Sequence, residues 1–402
     1  MKAIEFSAMN ILPNAQSEEA LISDFKARYQ ASAKLQHVDW DDAWNLLVRS
    51  GLNAQGPDVS EIGSTWLGGL HAMDALRPFS ASETAKMGGG EAFQPAMWQS
   101  CHFGRENLLL AMPLTLDLRV VLYRRDWLQK AGVNEETAFI DSDHFADTVK
   151  SVKAAGHPSP LAIPTSHSLT RLIHDLACWV WSAGGEIRSN DGRRMLLMES
   201  ASRAGIHAYF SLNEFISPEM QALAESTIFD AFTAGKCAIA VLSERGYTGI
   251  LTESVQVNPE VRENVGLSML MKAPFVGGTA LGIWRYSHNY EGALKLVQYL
   301  TSAEAWAIMN QLDVPHTSAR MDVLEHSKLA SSPFYPAILK SLEHGRSFQS
   351  GYRWSGVESR LVAVIESLWG DLRANPGLDI AHEIEERFAP VCTRLEQTLL
   401  AS

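Results

Sequence analysis

The sequence predicts an α/β protein of two lobes, each a mostly parallel sheet flanked by helices, and three observations carry that reading. The first is length: 402 residues exceed the roughly 250 to 300 at which one hydrophobic core stops growing. The second is the alternation of strand-like and helix-like stretches at the start of the chain. The third is the run Met112 to Leu128, MPLTLDLRVVLYRRDWL, whose Leu118, Val120, Val121, Leu122 and Tyr123 are apolar on both faces, as in a buried central strand. Pro113, with no amide to donate, belongs at that strand's entry. Arg124, Arg125 and Asp126 restore polarity before Trp127, Leu128 and the stop Ala131-Gly132.

Taken in order, Ala3 to Ala8 reads as a strand. A helix from about Ser17 to Tyr29 follows, with Leu21, Ile22, Phe25 and Tyr29 at helical spacing and Ser17 as N-cap. Lys34 to Val38 is a second strand that leaves through Asp39-Trp40-Asp41-Asp42 into a helix carrying Trp44, Leu47 and Val48. Pro57 to Ile62 is a third, ending at Gly63-Ser64-Thr65-Trp66 before a helix over Leu67 to Leu76. Strands alternating with helices at this interval imply a mainly parallel sheet, whose ligands bind at the carboxyl ends of the strands. The loops at Asn10, Trp40 and Ser64 to Trp66 are those ends.

A second α/β layer begins with a helix over Phe145 to Ala155, the strand Leu161 to Ile163 and the polar loop Pro164-Thr165-Ser166-His167. A helix from Leu169 to Trp181 then stops at Gly184-Gly185. Cys237 to Leu242, Val265 to Met271 and Phe275 to Trp284 are further strands, the last containing Gly277-Gly278-Thr279. Glu291 to Ile308 is amphipathic, and the C-terminal third is helical.

Composition narrows the function. With 46% apolar and 20% charged residues the chain is globular, and its formal net charge of −12 argues against a surface built for nucleic acid or anionic lipid. Cys101, Cys178, Cys237 and Cys392 are too scattered for a metal or redox motif and read as core thiols, with one bridge left open. No apolar run is long enough to span a membrane. Met1 leads straight into strand-like sequence, so either the chain is cytoplasmic or an export signal has been removed.

Catalytic signatures are missing: there is no nucleophile elbow, dinucleotide fingerprint, phosphate loop or zinc helix. His382-Glu383-Ile384-Glu385-Glu386 starts like a zinc helix but has Glu386 at the second histidine's place. Neither a metal nor a cofactor is expected. What the sequence does concentrate near strand exits is tryptophan and tyrosine, at Trp40, Trp66, Trp181, Tyr247 and Trp354, beside Ser64, Thr65, Thr165, Ser166 and Thr279. Sugars call for such a mixture, because a pyranose C–H face stacks on an indole while a few placed polar groups take its hydroxyls. Asp117, near the buried start of the central strand, either caps a turn or faces a cleft between lobes.

The stretches PDVSEIGSTWL (57–67), MPLTLDLRVVLYRRDWLQKAG (112–132), CWVWSAGGE (178–186), FTAGKCAIAV (232–241), GGTALGIWRYS (277–287) and EGALKLVQYLTSAEAW (291–306), in this order and spacing, resemble one family. It is that of the extracellular solute-binding proteins of carbohydrate ABC transporters, the maltose-binding-protein-like group. The resemblance implies the two-lobed periplasmic-binding-protein fold, its lobes joined by a hinge with crossings near Leu114 to Leu118, Lys272 to Val276 and Leu312 to Thr317. One lobe is then 1–115 with 274–313, and the other 116–273 with 314–402. It further implies a monomeric periplasmic protein whose signal peptide has been removed, with an ABC-transporter permease as partner and no enzymatic activity.

By the same likeness, a sugar or sugar derivative lies between Asn10, Trp40, Ser64, Thr65, Gly278 and Thr279 on one side and Asp117, Thr165, Ser166, Trp181, Arg346 and Trp354 on the other. Two departures qualify this. Where many relatives carry a Trp after the strand that Gly235-Lys236 introduces, this chain has Ser243-Glu244-Arg245-Gly246-Tyr247. Arg346 and Arg353 fall in a segment that lines the cleft in relatives; if they face inward, an acidic glycoside or a glycerophosphodiester-type solute is the alternative ligand. A carbohydrate-active hydrolase would need two carboxylates about 5 to 10 Å apart, for which Asp117 with Asp39 or Glu244 is the available pairing.

Overall fold

The computed structural model describes residues 3–9, 11–12, 14–166, 171–251, 255–312, 314, 316–348, 351 and 353–400. Eleven strands occur among them: β1 Ile4–Ala8, β2 Ala33–His37, β3 Val59–Gly63, β4 His102–Phe103, β5 Leu108–Leu109, β6 Ala111–Arg124, β7 Leu161–Ala162, β8 Ile239–Ser243, β9 Val265–Met269, β10 Val276–Ile283 and β11 Thr317–Ser318. The chain divides into two compact units. One comprises Met1–Asp117, Val276–Ser332 and Ser347–Ser355; the other comprises Leu118–Phe275, Pro333–Arg346 and Gly356–Ser402.

In the first unit the strand order is β2-β1-β3-β10-β6, with β11 pairing β6. β1 runs parallel to β2, with Ile4 opposite Ala33, and to β3, with Phe6 opposite Val59. β10 is antiparallel to β3, with Thr279 opposite Gly63. The alternating opening does give parallel strands, but β10 arrives from much later in the chain and runs against them, so the sheet is mixed. Ile4, Phe6, Val59, Ile62, Ala280 and Ile283 fill its core with the helix residues Leu21, Phe25, Leu47 and Leu296.

In the second unit the rest of β6 pairs antiparallel with β8, Arg119 opposite Ser243, and with β9, Val120 opposite Met269; β7 and β8 are parallel. Leu118, Val120, Val121 and Leu122 are fully buried, as a strand flanked on both sides requires. Pro113 lies within β6, not at its entry. The helices Arg171–Ser182 and Ser200–Ser211 bury Leu172, Ile173, Trp179, Ile206, Tyr209 and Phe210 beside Trp369 and Phe388.

Several local boundaries differ from the sequence reading. The helix Ala15–Tyr29 is capped by Asn14, whose side chain accepts the Ser17 amide at 2.9 Å, while Ser17 is buried inside the first turn. The amphipathic stretch after residue 290 is two helices, Tyr290–Leu300 and Ala303–Gln311; Ser302 caps the second by accepting the Ala305 amide at 3.3 Å. The unit boundary after β10 falls past Ser332 and not near Leu312, and Ser347–Ser355 returns to the first unit. β11 explains part of this, since Thr317 and Ser318 pair with Leu116 and Thr115. The four cysteines are buried and free. No helix among the described residues is long and apolar enough to cross a membrane.

Candidate functional site

In the first unit the three parallel strands release their carboxyl ends side by side. β2 leads through Asp39 into the helix Trp40–Asn53, and β3 leads into the 3-10 turn Ser64–Trp66. Although β1 separates these strands, the rings of Trp40 and Trp66 meet edge to face with centroids 5.5 Å apart, and Trp44, one helical turn on from Trp40, lies 5.8 Å from Trp66. Trp66 is buried, whereas Trp40 and Trp44 are half-buried and keep part of their rings accessible. Glycine permits the cluster: a Cβ on Gly69 would sit 2.7 Å from the Trp44 ring, and one on Gly63 3.3 Å from Trp66. Ser64 and Thr65 are largely buried between the β3 exit and Trp66.

On the same strand, Glu61 of β3 is only 3% exposed, and its Oε2 accepts the amide of Met9 at 2.8 Å and that of Ile11 at 3.3 Å. A buried carboxylate that accepts backbone amides holds the loop leaving β1 in one geometry. The sequence reading passed over Glu61. Its signal is an acid inside the otherwise buried Val59-Ser60-Glu61-Ile62-Gly63.

Thr115 and Thr279, both buried, share a hydrogen bond of 2.8 Å between their hydroxyls, and the Thr279 amide donates to Thr115 Oγ1 at 3.2 Å. Gly278 takes φ +150°, and a Cβ there would stand 1.9 Å from the Thr115 carbonyl oxygen. Only glycine fits that approach. Trp354 also belongs to this unit; it is 2% exposed and packs on Phe348 with centroids 4.5 Å apart. Its ring is therefore interior and offers no open stacking face. Asp117 is half-buried in β6, in a strand and not in a turn.

The second unit is built differently. Arg119, fully buried on β6, gives Nε to Asp175 at 2.6 Å and Nη1 to Glu225 at 2.7 Å; Glu225 also accepts the Ser243 amide at 3.0 Å. Glu244 is fully buried and accepts the Leu118 amide at 2.7 Å. His174 stacks on Phe275 with centroids 3.9 Å apart and lies 3.7 Å from Glu358. Cys178 receives the Phe275 amide at 3.1 Å, and burial pushes its thiol up to about 12, which leaves it unreactive.

Thr165 is buried and accepts the Ala222 amide at 2.9 Å, while Ser166 beside it is half-buried. Trp181 is 6% exposed, and the Arg346 guanidinium lies 4.8 Å from its ring centroid. Nη2 of Arg346 meets both carboxylate oxygens of Glu186 at 2.8 Å. The Trp181 face that Arg346 covers is closed to a sugar, and the arginine's charge is already matched. Tyr247 is buried edge-on to Phe334.

The structure thus gathers Trp40, Ser64 and Thr65 at the exits of β2 and β3 in the first unit, with Gly278 and Thr279 on β10 of the same sheet, and adds Trp44 and Glu61 to them. Asn10 lies outside the described residues. Thr165, Ser166, Trp181 and Arg346 belong to the second unit, and Asp117 and Trp354, assigned there from sequence, do not. Among the described residues no group of three or more His, Cys, Asp or Glu side chains is placed to hold a metal.

The model of the bacterial extracellular solute-binding protein family matches residues 12–305. A "Probable ABC transporter-binding protein" of Deinococcus radiodurans is 24% identical over 265 residues, which is 63% of this chain and 60% of that protein's length. The chain therefore aligns with less than two thirds of this curated relative. Solved structures give the fold over nearly the full length. A solute-binding protein from Thermotoga lettingae bound with α-D-tagatose has a TM-score of 0.81 at 18% identity, covering 98% of this chain and 99% of that one. The sugar-binding protein MalE of Xanthomonas citri has 0.80 at 18% identity, covering 100% and 98%. An Agrobacterium radiobacter solute-binding protein in complex with ribitol has 0.77 at 17%, covering 97% and 98%. With its two units and their mixed, helix-flanked sheets, the chain has the two-domain periplasmic-binding-protein fold and belongs to the bacterial extracellular solute-binding protein family.

Proposed function

We propose that this protein binds a sugar or sugar derivative outside the cytoplasmic membrane and delivers it to the permease of an ABC transporter. The observation that carries the reading is the convergence of Trp40, Trp44 and Trp66 with Ser64 and Thr65 where β2 and β3 end. Ring faces that keep some exposure next to short hydroxyl side chains match the two surfaces of a sugar. The tagatose, ribitol and MalE relatives support the same chemistry. Glu244, one of the carboxylates available to pair with Asp117 in a hydrolase, is fully buried and spends an oxygen on the Leu118 amide, which supports binding over turnover.

A thermal-shift screen over hexoses, pentitols, maltodextrins and glycosides tests the reading. A stabilising sugar, recovered chemically unchanged after prolonged incubation, is the expected result. Hydrolysis of a glycoside, abolished by Asp117→Ala, would replace it with an enzymatic function. Because a ligand that touches both units favours the closed arrangement by its difference in affinity, small-angle scattering should show the radius of gyration fall on saturation. A radius that stays fixed would remove the hinged mechanism.

A further inference from the structure

We infer that the bound solute carries an anionic group, a carboxylate or a phosphate, and that Arg245 receives it. This inference rests on the solute-binding reading above and specifies the ligand's class. Three buried or half-buried arginines of the second unit are held by carboxylates. Arg119 is held by Asp175 and Glu225, Arg124 by Asp126 at 2.6 Å, and Arg346 by Glu186 and the Trp181 ring. Arg245 differs from all of them. It is half-buried, its Nε is shut off from solvent, and among the described residues it meets no hydrogen-bond acceptor and no ion pair engages its guanidinium. A guanidinium partly withdrawn from water without a counter-charge is costly, and a planar anion that takes two of its N–H groups offsets that cost.

Position makes the anion part of a solute. Arg245 follows β8, whose last residue is Ser243, and β8 lies parallel beside β7, with Leu161 opposite Ile239 and Ala162 opposite Ala240. Ser166 follows the end of β7, so the half-buried Ser166 and Arg245 leave from the same end of adjacent parallel strands. That carboxyl end is where α/β sheets take ligands. The adjacent acid does not compete for the guanidinium, because Glu244 is turned to the Leu118 amide. A serine hydroxyl and an arginine together form a donor set for a carboxylate or a phosphate.

Matched pairs of probes test this by calorimetric titration: D-galacturonate against D-galactose, D-glucuronate against D-glucose, and sn-glycerol 3-phosphate against glycerol. At least one anion should bind roughly ten- to a hundredfold tighter than its neutral partner, the value of a charge-assisted hydrogen bond. The uronates and the phosphate separate the two anion sources. Raising NaCl from about 0.05 to about 0.5 M should weaken the anion and leave the neutral sugar unaffected. Arg245→Gln should erase the preference with an unliganded melting temperature within about 2 °C of the parent. Arg245→Lys should keep part of it, and so guards against a Gln variant that does not fold. Arg346→Gln should leave the preference in place. A neutral sugar that binds as tightly as its anionic partner, or a preference that survives Arg245→Gln, overturns this inference while leaving sugar binding intact. Failure of every probe overturns both.

Discussion

The two units solve the problem of a polar strand exit in opposite ways. The first surrounds it with rings and neutral hydroxyls, Trp40, Trp44 and Trp66 beside Ser64 and Thr65, and keeps one buried carboxylate, Glu61, to hold the loop leaving β1. The second packs charge into the interior, with Arg119 on β6 bound to Asp175 and Glu225, and Glu244 and Glu358 buried nearby in the same unit. Rings bind by area and tolerate many sugars. A buried ion network adds little net stability when intact but makes the loss of one member severe. Ligand recognition in the first unit should therefore be separable from its stability, whereas in the second the buried Arg119, Asp175 and Glu225 are structural.

The largest effect expected on the first unit comes from Gly278→Ala. Its Cβ would stand 1.9 Å from the Thr115 carbonyl oxygen, so β10 must shift or separate from β6, at a cost above about 4 kcal/mol. Denaturant melts should show that loss. A near-parental midpoint would mean that the sheet yields there. Next is Arg119→Met, which strands Asp175 and Glu225 without their cation and should cost about 3 to 5 kcal/mol in the second unit. Replacing all three by apolar residues of similar volume should recover most of it; a single variant as stable as the parent would deny the network its structural role.

A smaller effect follows from acid. Burial first, and then the neighbouring Arg124 charge, push His157 down to about 4 from its ordinary 6.5, so it is neutral in the folded protein at pH 7. The unfolded chain takes up the proton nearer 6.5. The stability that this group contributes is then complete above about pH 6.5 and falls as pH drops toward 4, by at most about 1.4 kcal/mol per pH unit. His157→Asn should flatten that limb of the stability profile, and an unchanged slope would assign the loss to other groups. The smallest effect is a gain: Gly370, within the helix Trp354–Ala374, has open space where a Cβ would go, and Gly370→Ala should stabilise by up to about 1 kcal/mol.

Much of this arrangement was legible in the sequence. The short period and flanking turns of Ile4–Ala8, Ala33–His37 and Val59–Gly63 gave strands within one or two residues of their observed bounds, and their exits gave Trp40, Ser64 and Thr65. What stayed hidden depends on tertiary partners. An indole at 354 has the same local pattern whether it faces solvent or lies against Phe348, and nothing near Trp181 in sequence announces an arginine at 346 over its ring. The antiparallel placement of β10 beside β3 joins residues about two hundred positions apart and has no local signature. Asn14 could not be preferred over Ser17 as a cap by residue type, since both rank high at that position. Glu61 was invisible as a ligand for Met9 and Ile11 because a strand acid usually points to water.

One measurement bears most directly on the claim that the first unit's strand exits bind a sugar: calorimetric titration of the best ligand from the screen into Trp40→Ala and Trp354→Ala, beside denaturant melts of both. Loss of the half-buried Trp40 ring should weaken binding roughly ten- to a hundredfold, for a stacking contribution on the order of 1 to 3 kcal/mol, with little change in stability. Loss of the interior Trp354 should cost about 3 to 5 kcal/mol of stability and leave the affinity of the folded protein near the parent's. Full affinity in Trp40→Ala, with binding abolished in a folded Trp354→Ala protein, would contradict the account.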